Sequence, residues 1–162
     1  MKETELKIKI LGEPVLRNKV ALVREITDYH LKLLSSMART MYSAKGVGLA
    51  APQVGISESL IVVDAGCGLY KLINPKIMKK EGSQVSEEGC LSIPGAVIKV
   101  KRANKIVLEA LDPEGKLVKI EAEGLLACVF QHEIDHLEGK LIVDYASFFD
   151  KLKLRKKLPN IL

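Results

Sequence analysis

Apolar residues change their spacing several times along the chain, and each spacing predicts an element. Leu6, Ile8 and Ile10 alternate with charged residues, so residues 5–10 are predicted as a short strand that stops before Gly12, Pro14 and Asn18. From residue 26 the period becomes three and four: Ile26, His30, Leu33, Leu34, Met37 and Met41 form one stripe, which predicts a helix over 26–42 with Thr27 or Asp28 as its cap. The apolar runs 59–65 and 70–78 predict two strands separated by a turn at Gly66-Cys67-Gly68. Residues 105–111 and 116–122 flank Asp112-Pro113-Glu114-Gly115, a turn sequence that predicts an antiparallel hairpin. The unbroken run Leu125 to Phe130 predicts a helix over 124–138, apolar all round and therefore inside a core, with Gly139 as its left-handed closing residue. Strands come first and this helix last. The order implies an α+β fold: antiparallel β-sheets wrapped around a central helix, with an N-terminal and a C-terminal helix besides.

Composition narrows the class. A chain of 162 residues with 48% hydrophobic content can bury its own core, so residues 1–162 are expected to form one domain. No apolar run reaches the ~18 residues of a membrane span, and the charged start Met-Lys-Glu-Thr-Glu-Leu-Lys does not resemble a signal core, which makes the cytoplasm the expected location. Three cysteines at unrelated spacings argue for reduced thiols, with Cys67 read as a small turn residue. The net charge of +5 gathers in Lys151 to Lys157, a run that reads as the wet face of a terminal helix or as a nucleic-acid contact. No tryptophan and no interleaved aromatics support the second reading.

The chemistry concentrates in Gln131-His132-Glu133-Ile134-Asp135-His136. On a helix, His132 and His136 differ by about 40° in azimuth and about 6 Å in height, so both imidazoles reach one ion, and Glu133 stands beside it as a base for water. A solvated helix face would show the same spacing. The apolar run leading into it favours burial, and a buried pair of imidazoles with a carboxylate calls for a cation. A catalytic site wants a third ligand and an open position. Cys90, set in Glu87 to Gly95, is the best source, although a small buried apolar residue is the competing reading and Cys128 is a rival. Cys128 lies one turn before His132, where three ligands from one helix face would crowd the ion. His30 has no second ligand at helical spacing and reads as a packed histidine. In Gly46 to Gly55, two glycines bracket Val47, with Gln53 following; no phosphate-loop pattern fits, and close backbone approach explains the glycines better.

Gly46-Val-Gly-Leu-Ala-Ala-Pro-Gln53, Glu88-Gly-Cys-Leu-Ser92 and Gln131 to His136 resemble, in order and spacing, the three motifs of the peptide deformylase family. The resemblance extends to Gly12–Leu16, Met41-Tyr42, Leu72 to Pro75, Arg102 and Gly139 through Tyr145, with departures at the short turn around Cys67 and at the end after the basic segment. It implies removal of the N-formyl group from the initiator methionine of nascent polypeptides, with formate released. It further implies Cys90, His132 and His136 as metal ligands, Glu133 as acid and base, and the Gln53 amide with the Leu91 backbone N–H as oxyanion donors. The family's usual ion is ferrous iron; one thiolate with two imidazoles equally suits zinc, nickel or cobalt. For the substrate, Leu125, Cys128 and Val129 share the His132 face and would wall a pocket for methionine, or simply pack the core. The backbone at Val47 and Gly48 would take the peptide by strand addition. A transient ribosome contact is the partner suggested by the basic segment. A metallopeptidase and a structural zinc module are the alternatives; the first takes its third ligand downstream, and the second needs four ligands and leaves Glu133 without a task.

Overall fold

The computed structural model describes residues 4–158. Helix α1 spans Asp28–Ser43, strands β1 to β3 span Gly48–Ala50, Leu60–Val63 and Tyr70–Glu81, and β4 and β5 span Gln84–Cys90 and Ile93–Arg102. Strands β6 (Lys105–Leu111) and β7 (Leu117–Glu123) lead into α2 (Gly124–Leu137), and α3 covers Phe148–Lys157. Short 3₁₀ turns lie at Pro14–Arg17, Ala51–Val54 and Ile142–Tyr145. The fold is α+β, with helices and antiparallel sheets: β1-β2-β3-β6-β7 form one sheet and β4-β5 the other.

The elements follow from local chemistry. Thr27 starts α1, its N–H donating to His30 Nδ1 at 3.1 Å, so the histidine on the apolar stripe serves as a cap partner. In the β6–β7 turn, Asp112 Oδ1 accepts from the N–H groups of Glu114 at 3.0 Å and Lys116 at 2.8 Å. Asn74 interrupts β3 with a φ of 53°, and its side chain compensates by bonding Val23 N–H at 2.9 Å and Val23 C=O at 2.8 Å. Strand β2 is buried on both faces: Leu60 and Val62 pack with Leu34 and Met37 of α1, while Ile61 and Val63 pack with Ala127 and Phe130 of α2. A third cluster joins Ile93, Ile98 and Val100 of β5 to Leu141, Ile142 and Val143, and to Leu154 of α3.

Two expectations need correction and one hairpin was missed. Residues 5–10 do not form a strand; they run extended beside the site, with Lys9 N–H on Gln53 C=O at 2.7 Å and Leu11 N–H on Ser92 C=O at 2.8 Å, and without a continuous ladder. The hairpin β4–β5 was not predicted, although Ile98, Val100 and Arg102 alternate inward with Val97, Lys99 and Lys101 outward, because Pro94-Gly95 obscured the period. The run opening α2 is not buried all round, since Leu125 is 62% exposed. Helix α3 is capped by Ser147, whose Oγ accepts from Asp150 N–H at 3.1 Å, and it exposes its basic residues. No helix among the described residues is long and apolar enough to cross a membrane.

Gly139 closes α2 with φ +73°, and a Cβ there would stand 2.5 Å from the Arg17 carbonyl oxygen. Gly139→Ala should therefore destabilise the fold by about 1–3 kcal/mol, about 2–4 °C of melting temperature per kcal/mol. An unchanged thermal midpoint would show that the Arg17 loop yields freely.

Candidate metal centre and active site

Cys90 ends β4, just after a register shift that separates it from Glu88, and His132 and His136 stand one turn apart on α2. Their donor atoms converge within 4.8 Å of one another. Cys90 Sγ lies 3.4 Å from His136 Nε2, which lies 3.2 Å from His132 Nε2. Cys128 is not in this cluster. Burial pushes the His132 imidazole down, but the hydrogen bonds it makes to Cys90 and Glu88 outweigh that and lift the ring to about 10, so the pocket favours positive charge. Burial and the neighbouring His132 hold His136 well below the ordinary imidazole range, which leaves it as a neutral donor. A soft sulfur and two neutral-capable imidazoles facing one point fit a divalent transition ion with positions left open.

His132 is oriented from behind. Its Nδ1 lies 3.0 Å from Glu88 Oε2, and Glu88 is clamped by Arg102, Nε to Oε1 and Nη2 to Oε2 both at 2.8 Å. Arg102 Nη1 then donates to Asp135 Oδ2 at 2.6 Å, where Tyr145 OH also donates at 2.7 Å, and the guanidinium sits 5.0 Å from the Tyr145 ring centroid. Burial raises the Glu88 carboxyl, yet the Arg102 and His132 bonds prevail and hold it at about 2. Such a carboxylate fixes ring orientation and strengthens the ligand. Residue-level reasoning gave Glu88, Arg102, Asp135 and Tyr145 no role. Glu88 and Asp135 stood inside the two motifs, which was the available signal; the pairing with Arg102 had none.

Glu133 is 3% exposed, and burial raises its carboxyl to about 7. A Cβ on Gly48 would come within 2.8 Å of Glu133 Cδ, so the glycine is there to admit this carboxylate. Gln53 is buried as well: its Oε1 accepts from Ala50 N–H at 2.9 Å, and its Nε2 donates to Ser92 Oγ at 3.2 Å while lying 3.6 Å from Cys90 Sγ. Leu91 is half-buried and packs over Gly46. A cleft of about 730 Å³ opens onto Gly48, Gln53, Cys90, Leu91, His132 and Glu133. A smaller pocket of about 120 Å³ is lined by Val47, Leu125, Cys128 and Val129 together with His132 and Glu133. Leu125 stands there at 62% exposure, while Cys128 and Val129 are buried.

The polypeptide deformylase family profile matches residues 5–152. The chain belongs to this family. It is 55% identical over 141 residues to a peptide deformylase of Halothermothrix orenii, covering 86% of this chain and 92% of that one. A peptide deformylase of Caldanaerobacter subterraneus is 51% identical over 148 residues, 91% of this chain and 93% of the relative. Among solved structures, the crystal structure of a Legionella pneumophila peptide deformylase superposes with a TM-score of 0.92 at 43% identity, over 96% of this chain and 94% of that one. A Synechococcus elongatus peptide deformylase in complex with actinonin gives 0.90 at 41% identity, over 99% and 88%. Membership in the deformylase family sets aside the metallopeptidase and zinc-module readings.

The Arg102 clamp generates a test. Its side chain is 4% exposed and that of Glu88 7%. Arg102→Met should leave Glu88 and Asp135 as buried, unpaired charges, at a cost of about 3–5 kcal/mol, and should weaken ion retention through a loosened His132. Urea unfolding with metal analysis measures both, and native stability with full metal content would remove Arg102 from this role.

Proposed function

We propose that Cys90, His132 and His136 hold one divalent ion in this cleft and that Glu133 manages the protons of hydrolysis. The chain is a hydrolase of the deformylase type, removing the N-formyl group from nascent polypeptides. The observation that carries the mechanism is the convergence of three donors within 4.8 Å next to a carboxylate that is 3% exposed. When bound, the ion supplies Lewis acidity, activating water and polarising the formyl carbonyl. Ferrous iron is the expected ion, with zinc, nickel or cobalt also suited to these ligands.

Glu133, lifted by burial to about 7, accepts a proton from water near neutrality and returns it to the leaving amine as formate departs. The Gln53 Nε2 group and the Leu91 backbone N–H stabilise the oxyanion; Gln53 is pre-oriented by its bond to Ala50 N–H. Substrate main chain adds to the free edge of β1. Asp64 N–H bonds Val47 C=O at 2.9 Å, so the ladder's alternation turns the N–H and C=O of Gly48 away from β2 and toward that edge. The methionine side chain then enters the pocket of Val129, Cys128 and Leu125. In this reading residues 1–162 form one cytoplasmic domain with both sheets around α2, and the exposed basic face of α3 touches the ribosome transiently.

Release of formate from a formyl-Met peptide by the ion-loaded enzyme tests the activity; intact formyl peptide, or cleavage of internal peptide bonds instead, would overturn it. Glu133→Gln should retain the ion yet lower turnover by about 10²- to 10⁴-fold, since an amide keeps the shape and accepts no proton. Near-native formate release with full metal content would eliminate Glu133 as the base.

Val129→Phe tests the pocket. Overfilling a closed cavity costs about 1–3 kcal/mol, or about a 5- to 150-fold loss in kcat/KM for formyl-Met peptides, with a smaller loss for formyl-Ala peptides. Equal losses on both substrates, with fold and ion retained, would place the methionine side chain elsewhere.

A further inference from the structure

The face of α2 opposite its ligand histidines opens onto a second concavity, of about 480 Å³, which the hydrolytic mechanism does not use. Four lysines surround it from separate parts of the chain: Lys76 and Lys80 on β3, Lys101 on β5 and Lys140 just beyond α2. All four are exposed, and among the described residues none has a carboxylate oxygen within 4 Å. The two acids that line the concavity are already committed. Asp135 accepts from Arg102 and Tyr145, and Glu138 pairs with Lys19 at 2.9 Å. Glu109 faces Lys76 across the β3–β6 ladder but does not line the concavity. Like charges brought to one depression repel one another, and bound anions relieve that repulsion.

We propose that this concavity binds a compact polyphosphate anion. Lysine ammonium groups bind phosphate oxygens as mobile point charges, and the volume lies in the range of small-molecule sites. A compact ligand fits better than a nucleic-acid strand. The charges ring one bounded depression, and Tyr145, the aromatic residue that lines it, already has its hydroxyl on Asp135 and its ring against Arg102. A single ring already packed by Arg102 on one face gives no run of aromatic platforms of the kind single strands stack along.

Calorimetric titration of the ion-loaded enzyme with inorganic tripolyphosphate tests the site, with metal content measured afterwards. One tripolyphosphate should bind per chain. Lys76→Gln/Lys101→Gln should weaken it at least tenfold, whereas Lys151→Gln/Lys153→Gln on α3, an identical change in net charge, should alter it less than twofold. Both double variants change exposed side chains, and their melting temperatures verify the fold. The proposal is overturned by absence of saturable binding, by equal weakening in the two variants, or by heat that tracks loss of the ion to the chelating anion. It is equally overturned if a single-stranded oligoribonucleotide binds through Lys76 and Lys101 and tripolyphosphate does not displace it.

Discussion

One buried guanidinium ties the working parts of this molecule together. Arg102, at the end of β5, grips Glu88 of β4, reaches Asp135 of α2 and lies against Tyr145 of the following 3₁₀ turn. A cation this deep is tolerated because its donors are met by two carboxylates, and those carboxylates are tolerated because of it. The arrangement has a direction. Glu88, once fixed, sets the ring of His132, so the geometry of the candidate metal centre depends on a salt-bridge network that spans the β4–β5 hairpin and α2.

The second constraint is the presence of a carboxylate, Glu133, inside an otherwise apolar helix environment. Helix α2 sends Ala127, Phe130 and Leu137 into the core shared with Ile61, Val63 and Leu108, and sends Glu133 toward β1. Only a residue without a side chain can face it there, and Gly48 fills that place. β1 is also the edge strand of its sheet, so the stretch that makes room for the Glu133 carboxylate is the one whose outer backbone the proposed peptide binding uses.

The two sides of α2 differ in chemistry. One carries the candidate ligand histidines and an apolar pocket; the other borders four exposed lysines that, among the described residues, have no carboxylate oxygen within 4 Å. Arg102 stands between them, its charge spent on Glu88 and Asp135 and therefore screened from both.

Much of this was local and therefore legible. The period of α1, the Asp112 turn with its flanking strands, the limits of α2 with Gly139 behind it, and the i, i+4 histidines are all properties of neighbouring residues, and the structure places each within a few positions of expectation. The resemblance of three motifs carried the family and the hydrolysis it implies. What sequence alone left open were pairings across distance. Taken by themselves the residues favoured Cys90 over Cys128 but did not separate a ligand Cys90 from a small buried residue, because Cys90 and His136 are 46 positions apart and it is after the β4 register shift that Cys90 comes to lie beside His136. Nor did they reveal that Arg102 would meet Glu88 14 positions away, that the extended residues 5–10 would find no ladder, or that Leu125 would stand at a pocket mouth. Periodicity reports which way a side chain points on its own element; what it meets there is decided when the elements pack.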